Sequence, residues 1–230
     1  MLFGIPNPHP GFFLVLEGID ACGKSTQLKL IAKWLRESLR NPNQRVLVTK
    51  EPDPDSEYGR FIYQDLKKRD GLNHTDPISF QTWYAKESLA RMRDLVIPRL
   101  KLGDIVLSDR YRTSLVYGVR GESSREEDLS ELLQMNWSIL GEKFVRPDLT
   151  IIYDIPAEMA VARMRSAGKA VDSHERLDKL QVVRRSYLRW DRDVRPKYFN
   201  LQVNNKDGSP EEVFQRSRLR LECELARFLR

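Results

Sequence analysis

Residues 18–26, Gly18-Ile19-Asp20-Ala21-Cys22-Gly23-Lys24-Ser25-Thr26, form the stretch that decides the fold. Its first eight residues match the pattern G-x-x-x-x-G-K-[ST] without a mismatch. Glycine is needed at both ends because such a loop wraps a phosphate group with its backbone N–H groups. An apolar run precedes the stretch and a helical pattern follows it, which is the context that a phosphate-binding loop (P-loop) requires. That context disfavours the alternative of a chance match.

Individual positions of this loop have distinct predicted roles. Lys24 is predicted to reach the β- and γ-phosphates of ATP, and the Ser25 hydroxyl is predicted to ligate Mg²⁺. The helix that follows adds its free N–H groups and the positive end of its dipole. For Cys22 we expect the backbone N–H to matter rather than the thiol. We therefore predict that all nine residues of the loop contribute to the ATP site, with Lys24 also catalytic.

Short β-rich runs alternate with helical patterns along the whole chain. The β-rich runs cover residues 12–16, 45–50, 104–108 and 149–153, with a weaker run at 198–203. The helical patterns cover residues 24–40, 78–101, 157–166, 178–190 and 210–229. The alternation predicts an α/β protein of the P-loop NTPase fold, with a parallel sheet flanked by helices on both faces. Since no linker or repeat interrupts the pattern, we predict a single domain over residues 1–230.

Composition and charge argue against several classes of protein. Of the 230 residues, 40% are hydrophobic and 31% are charged, as in globular proteins rather than disordered or membrane proteins. The net charge of +6 suits a polyanionic ligand. No basic run interleaves with aromatic residues, so nucleotide binding is favoured over nucleic-acid binding. The two cysteines, Cys22 and Cys223, form no CxxC pair, which favours a reducing compartment. The apolar run at 12–16 is too short to span a bilayer, so we expect a cytoplasmic protein without a membrane anchor.

Polar residues follow the predicted strands at their carboxyl ends, where α/β proteins bind ligands. Asp109 and Arg110 follow the third strand directly. We predict that Asp109 supports Mg²⁺ and that Arg110 grips an anionic acceptor or the transferring phosphoryl group, both as catalytic residues. A structural ion pair is the alternative. Asp154 ends the fourth strand and is either a more distant partner of magnesium or a cap for the helix that Pro156 starts.

A basic stretch with Gly and Ser lies between two helical patterns, at about residues 166–177. Such a stretch is typical of a flexible lid that closes over phosphates. We predict that Arg163 and Arg165, just before it, contact the phosphates of ATP. A solvated surface loop is the alternative that this pattern leaves open.

Together these segments resemble the thymidylate kinase family. The matching pieces are FLVLEGID at 13–20, GKSTQ at 23–27, TKEP at 49–52, GDIVLSDRY at 103–111 and RPDL at 146–149. This ordered set is much more specific than the P-loop alone, and the similarity runs from about Phe12 to Val203. The resemblance implies a five-stranded parallel sheet, the use of ATP and Mg²⁺, and a homodimer. It also implies that Asp20 and Glu51 face the acceptor and that Arg110 binds the acceptor phosphate.

The chain departs from this family where the acceptor base is read. The family's base-reading helix has an aromatic residue and then an arginine four positions later, whereas here Tyr84 is followed by Ser88. Arg91 shares that helix face and is either a substitute reader or a surface arginine. Tyr117 is the aromatic residue expected after the Asp-Arg-Tyr segment. The predicted acceptor site consists of Asp20, Glu51, Tyr84, Ser88, Arg91, Arg110 and Tyr117.

The sequence therefore predicts an ATP-dependent phosphotransferase that moves the γ-phosphoryl group to a nucleoside monophosphate, with dTMP as the predicted acceptor. Another nucleotide or nucleoside acceptor is the alternative within this class. A kinase fold that binds nucleotides without catalysis is the alternative outside it. The Asp109–Arg110 pair disfavours that second alternative, since a pure binding protein has less need of catalytic groups on the acceptor side.

Overall fold

A parallel sheet with the strand order β2-β3-β1-β4-β5 forms the centre of the protein. Its strands are β1 Phe12–Glu17, β2 Val46–Lys50, β3 Ile105–Asp109, β4 Leu149–Asp154 and β5 Asn200–Asn204. The computed structural model describes residues 4–68, 70–118, 126–168, 176–194, 200–204 and 208–230. All four pairings of neighbouring strands are parallel. The predicted α/β class with a parallel sheet is confirmed.

Nine α-helices lie within the described residues and connect or flank these strands. They are α1 Lys24–Ser38, α2 Glu57–Asp65, α3 Leu72–Thr75, α4 Pro77–Arg91, α5 Ile97–Lys101, α6 Glu126–Leu140, α7 Ala157–Ser166, α8 Leu177–Val194 and α9 Pro210–Glu224. A π-helical turn over Met92–Val96 joins α4 to α5, and 3₁₀ helices span Arg112–Gly118 and Gly141–Lys143. The helix predicted at 78–101 is thus α4, the π-helical turn and α5. The sequence patterns did not predict α2, α3 or α6.

Strand β1 shows why the sheet is covered on both faces. Successive side chains of a strand point to opposite faces. Phe12, Leu14 and Leu16 belong to one buried cluster, while Phe13 and Val15 belong to another on the opposite face. Helices α1 and α9 pack on each other beside the first cluster, and the α4–α6 pair packs beside the second. The apolar run at 12–16 is continuous because neither face of β1 is exposed to solvent.

The register between β1 and β3 positions the functional groups. Leu16 lies opposite Asp109, so the loop that leaves β1 begins beside the carboxyl end of β3. On the other side of β3, Lys50 at the end of β2 also lies opposite Asp109. Because the strands are parallel, the ends of β1, β2 and β3 meet at one edge of the sheet. The chain order β1, β2, β3 places β3 between the first two, which opens a crevice at this edge.

Candidate active site

A cavity of about 680 Å³ opens at this edge of the sheet. One end, the phosphate half, is lined by the P-loop together with Asp109, Arg163, Gly208 and Pro210. The other end, the acceptor half, is lined by residues from the end of β2, from α2, α4 and α6, and from the 3₁₀ helix at 112–118. Arg110 also lines the cavity. It follows Asp109 of the phosphate half and precedes the 3₁₀ helix at 112–118 of the acceptor half, so it lies between the two halves. The cavity therefore has room for two ligands that meet near the ends of β1 and β3.

Most of the predicted site residues line this cavity. They are Asp20, Ala21, Gly23, Lys24, Ser25, Thr26, Glu51, Tyr84, Ser88, Asp109, Arg110, Tyr117 and Arg163. Five predicted residues do not appear among the described residues that line it, namely Gly18, Ile19, Cys22, Arg91 and Arg165. Sequence reasoning missed further lining residues, among them Gln27, Lys50, Tyr63, Leu66, Gln81, Tyr111, Arg112 and Asn136.

The P-loop is curled by residues with left-handed backbone angles. Gly18 has φ +133° and Gly23 has φ +96°. A Cβ atom on Gly18 would collide with the carbonyl oxygen of Tyr153, so only glycine fits there. Gly23 is the N-cap of α1, and no side chain caps the first turn of that helix. The free N–H groups of this turn are therefore available to an anion.

Lys24 is held within the loop by backbone oxygens. Its Nζ donates to the carbonyl oxygens of Gly18 and Ile19, each at 2.9 Å. Gly18 and Ile19 thus position the cation without lining the cavity. The Cys22 side chain is fully buried, and its Sγ accepts a contact from Lys24 Nζ at 3.6 Å, so the thiol contributes to the position of the cation as well.

Ser25 and Asp109 form a pair of oxygen donors in the phosphate half. The Ser25 hydroxyl lies 3.1 Å from Asp109 Oδ2, and it donates to that oxygen. The other oxygen, Asp109 Oδ1, is buried and has no hydrogen-bond partner among the described residues. In the described part of the chain, no group of three or more His, Cys, Asp and Glu side chains is placed so that it could hold a metal ion by itself. Mg²⁺ suits such a site, because it binds through one or two carboxylates together with phosphate oxygens and water.

Arg110 is fixed by a dense set of hydrogen bonds. Its Nη2 donates to Asp20 Oδ1 at 2.7 Å and to the Tyr117 hydroxyl at 3.1 Å. Its Nη1 donates to the Gly18 carbonyl at 3.1 Å and to the hydroxyls of Ser114 and Tyr187. Burial opposes ionisation of Asp20, but the charges of Arg110 and Lys24 outweigh it and hold the pKa of Asp20 below its usual value. The Asp20–Arg110 pair is therefore charged and oriented at the cavity wall.

A second layer of contacts supports Arg110 from beneath. Glu17 is fully buried at the end of β1, and it accepts hydrogen bonds from the backbone N–H of Tyr111 and the hydroxyls of Ser114 and Tyr187. Burial raises the pKa of Glu17, although the Arg110 charge opposes this. Tyr187 belongs to α8, so this helix is tied to Arg110. Sequence reasoning missed Glu17 and Tyr187, since neither lies in the loop motif that it recognised.

Glu51, Tyr84 and Ser88 line the acceptor half as predicted. The Ser88 hydroxyl donates to Glu51 Oε1 at 3.3 Å. Burial and the charge of Glu87 raise the pKa of Glu51 well above that of an ordinary glutamate. The Tyr84 ring packs edge-to-face against Phe80 with centroids 5.4 Å apart. Glu51, which directly follows β2, is thus brought together with Tyr84 and Ser88 of α4.

Arg91 differs from both interpretations of its sequence position. It is only 8% exposed, which rules out a surface arginine. Its guanidinium donates to Glu87 at 2.5 Å and to the Thr49 hydroxyl at 2.7 Å, and it lies 3.1 Å from Asp53. Glu87 is one helical turn away, so the i, i+4 spacing was the signal for this pairing. Arg91 therefore joins α4 to the end of β2 behind the cavity wall.

The two predicted phosphate-binding arginines of α7 are separated. Arg163 lines the cavity and donates to the Ala21 carbonyl at 3.3 Å, whereas Arg165 is exposed on another face of the helix. Residues 169–175 of the predicted lid lie outside the described residues. Asp154 pairs with Arg184 of α8 at 2.7 Å, and the helix after Pro156 has no side-chain cap. The predicted capping role of Asp154 is therefore wrong.

Comparisons with known proteins show the family to which the chain is similar. The family model described as thymidylate kinase matches residues 16–215. A probable thymidylate kinase of Pyrococcus abyssi is 32% identical over 210 residues, which cover 89% of this chain and 93% of that protein. A thymidylate kinase of Desulforudis audaxviator is 37% identical over 182 residues, which cover 77% of this chain and 76% of that protein.

Solved structures share the fold. The thymidylate kinase of Ehrlichia chaffeensis superimposes with a TM-score of 0.67 at 22% identity, covering 92% of this chain and 98% of that one. The thymidylate kinase of Candida albicans superimposes with a TM-score of 0.69 at 20% identity, covering 93% of this chain and 92% of that one. The resemblance noted in the sequence is confirmed by the family match and by both relatives, and this chain belongs to the thymidylate kinase family, whose members are nucleoside monophosphate kinases.

Proposed function

We propose that this protein transfers the γ-phosphoryl group of ATP to dTMP and releases dTDP and ADP. The observation that carries this proposal is one cavity with a P-loop at one end and the Arg110–Asp20 pair beside it. A P-loop binds the donor phosphates, and a fixed guanidinium is suited to an anionic acceptor. Membership of the thymidylate kinase family supports dTMP as the acceptor.

In the proposed reaction, an oxygen of the acceptor phosphate attacks the γ-phosphorus of ATP. The new P–O bond forms while the bond to the bridging β-phosphate oxygen breaks, and ADP leaves with that oxygen. Lys24 and the free N–H groups of α1 stabilise negative charge on the transferring group. Arg110 holds the acceptor phosphate in line with it, and Asp20 keeps the guanidinium in place.

Mg²⁺ fits the oxygen pair of Ser25 and Asp109, where the buried Asp109 Oδ1 has no protein partner among the described residues. When bound, it would neutralise charge on the β- and γ-phosphates. Arg163 would contact the phosphates of ATP from α7, since it lines the phosphate half. Arg165 would act there only if the chain around the lid rearranged, because its side chain is exposed.

Further properties of the family belong to the same proposal. We propose one kinase domain over residues 1–230, assembled as a homodimer in the cytoplasm. Among the described residues, no helix is both long enough and apolar enough to cross a membrane.

A different nucleotide acceptor is the second candidate, and Ser88 is the observation that favours it. Ser88 stands where the family has a base-reading arginine, and its short side chain is engaged with Glu51. A hydroxyl cannot make the bidentate contacts of a guanidinium.

Steady-state kinetics with ATP and the deoxynucleoside monophosphates dTMP, dUMP, dCMP, dAMP and dGMP test both candidates. ADP release is coupled to NADH oxidation, and the diphosphate product is verified by chromatography. The proposal expects the highest kcat/KM with dTMP. A higher value with another monophosphate would replace dTMP by that acceptor, and no turnover with any of them would overturn the proposed function.

A further inference from the structure

We infer that Gln81 reads the base of the acceptor nucleotide, in the place of the arginine that this chain lacks at position 88. The inference rests on the proposed function, because it assumes that the acceptor half holds a nucleoside monophosphate.

Gln81 is a polar residue of the cavity wall that is only 4% exposed. Its carboxamide forms no hydrogen bond with any described residue. The carboxamide nitrogen and oxygen are not among the fully buried atoms that lack a partner, so they keep some exposure. A carboxamide offers two N–H donors and an oxygen acceptor. A carboxamide that lines a cavity and has no hydrogen-bond partner among the described residues is available to a ligand.

The position of Gln81 along α4 places it in the acceptor half. It precedes Tyr84 by three residues and Ser88 by seven, so the three side chains share one face of the helix. All three line the cavity. Helix α4 packs against α2, α6 and the 3₁₀ helix at 112–118. These are elements of the acceptor half, whereas Gly208 and Pro210 of the phosphate half belong to the segment that enters α9.

Gly118 restricts where the Gln81 side chain can lie. A Cβ atom on Gly118 would come within 2.8 Å of Gln81 Cγ and 2.9 Å of Cδ. The absence of a side chain at 118 thus gives the Gln81 stem its place beside the 3₁₀ helix. A larger residue at position 118 would therefore displace the Gln81 side chain.

Asn136 of α6 supplies a second carboxamide at the cavity wall. It is also 4% exposed and lines the cavity. Its Nδ2 donates to the Leu132 carbonyl at 3.0 Å, which leaves Oδ1 as an acceptor without a partner among the described residues. The Leu132 side chain contacts the same Gly118 position as Gln81 does. Because α4 packs against α6, the two carboxamides lie on neighbouring helices that line one cavity.

The chemistry of a carboxamide fits a pyrimidine edge. Its oxygen can accept from N3–H of thymine or uracil while its N–H donates to O4. Turned over, the same group can donate to N3 of cytosine and accept from its amino group. Gln81 is therefore expected to bind pyrimidine monophosphates with weaker discrimination among them than a fixed guanidinium gives.

The test compares two variants of Gln81 with a matched control in the full-length protein. Gln81→Met keeps the length of the side chain and removes its hydrogen bonds. Gln81→Glu keeps the shape and leaves only acceptors. Gln64→Met makes the same change as the first variant at an exposed glutamine of α2. Thermal unfolding of each variant first establishes that it is folded.

We expect Gln81→Met to lower kcat/KM for dTMP about 10-fold to 100-fold, with the KM for ATP unchanged. We expect Gln81→Glu to lower kcat/KM for dTMP at least about 10-fold more than for dCMP, because a carboxylate repels O4 of thymine but accepts from the cytosine amino group. Gln64→Met should match the wild type in both respects.

Several outcomes would overturn the inference. Variants at 81 that match Gln64→Met would do so, as would equal losses for every acceptor and for ATP, which indicate a structural role. In both cases the wild type still phosphorylates dTMP, so the proposed function stands. A wild type that phosphorylates no nucleoside monophosphate would overturn the proposed function and this inference together.

Discussion

The two halves of the cavity differ in how the protein holds their polar groups. Lys24 of the phosphate half is held by two backbone carbonyls, and Arg110, between the halves, is held by Asp20 and three hydroxyl groups. Asp109 Oδ1 is the buried oxygen of the phosphate half that has no partner among the described residues. In the acceptor half, the Gln81 carboxamide and Asn136 Oδ1 have no partner among the described residues. Preorganised charge lowers a barrier because it costs no rearrangement during reaction. Unfilled polar groups acquire partners only when the correct ligand arrives. We therefore expect the positioned cations to govern the rate of transfer and the carboxamides of the acceptor half to govern the choice of acceptor.

The largest loss of activity is expected from substitution of Lys24 in the phosphate half. Lys24→Met removes the cation from the phosphate half and keeps most of its volume. We expect kcat to fall on the order of 10²–10³-fold, while the fold is retained. Lys29→Met, at an exposed position of the same helix, is the matched control. Near-full activity of Lys24→Met would contradict the assignment of the P-loop.

Arg91 tests whether every buried arginine near the cavity is functional. Arg91→Ala leaves Glu87, which is 2% exposed, without its cation. We expect the free energy of unfolding to fall by about 3 kcal/mol, measured by urea unfolding. Arg93→Ala breaks an exposed pair two residues along the helix and should leave stability unchanged. A stable Arg91→Ala variant with a raised KM for the acceptor alone would instead support the reading of Arg91 as a base-reading group.

Arg110→Lys keeps the charge in the acceptor-phosphate site but removes the planar fork that bridges Asp20 and the hydroxyl groups. We expect kcat/KM for dTMP to fall about 10-fold to 100-fold, because lysine cannot reproduce bidentate geometry. Calorimetry should show ATP binding unchanged. Arg60→Lys, at an exposed position of α2, serves as the control. Loss of ATP binding in folded Arg110→Lys would move this arginine to the donor side.

The arginines of α7 offer a smaller contrast within the phosphate half. Arg163→Ala removes a cation that lines the cavity, and we expect the KM for ATP to rise about 10-fold. Arg165→Ala removes an exposed cation two residues later and should change the KM for ATP less than about 2-fold. Equal effects of the two variants would show that the lid brings both arginines to the phosphates.

The smallest expected effect concerns two carboxyl groups of the cavity that respond oppositely to pH. Burial and Glu87 raise the pKa of Glu51 above 4.5, so the folded protein holds this proton where the unfolded chain has lost it. The stability that Glu51 contributes is therefore lost as pH rises from 4.5 through its raised pKa. We expect Glu51→Gln to gain stability relative to the wild type as pH rises, measured by urea unfolding at pH 4.5 and above.

Asp20 provides the contrast for that experiment. Despite burial, Arg110 and Lys24 hold the pKa of Asp20 below 3.8, so its contribution to stability is present above that pH and is lost as pH falls. Asp20→Asn should therefore lose stability relative to the wild type near neutral pH, with the difference shrinking in acid. The same pH trend for both variants would contradict the electrostatic difference between the two halves.

The phosphate half could be predicted from the sequence because its residues follow strands within short motifs. The P-loop lies directly after β1 and Asp109 ends β3, so the parallel register brings them together. The apolar runs were sufficient to locate these strands within one or two residues of their ends. Backbone geometry of this kind is dictated locally by glycines and by strand ends.

The acceptor half was only partly predictable, because it is assembled from helices far apart in sequence. Gln81 and Asn136 belong to α4 and α6, and no local motif joins them. Glutamine and asparagine are usually exposed, so composition gave no reason to expect two buried carboxamides. The burial of Arg91 was missed for a related reason, since it depends on contacts with Thr49 and Asp53, which are far from it in sequence. In the sequence, only the i, i+4 spacing from Glu87 indicated the ion pair that Arg91 forms with that residue.

Transfer of labelled phosphate tests the central claim most directly. The wild type and Lys24→Met are each incubated with dTMP and ATP that carries ³²P at the γ-position, and the products are separated by chromatography. The account predicts labelled dTDP from the wild type and about 10²–10³-fold less from Lys24→Met. Label that appears only as inorganic phosphate, or dTDP formed equally by both proteins, would contradict it.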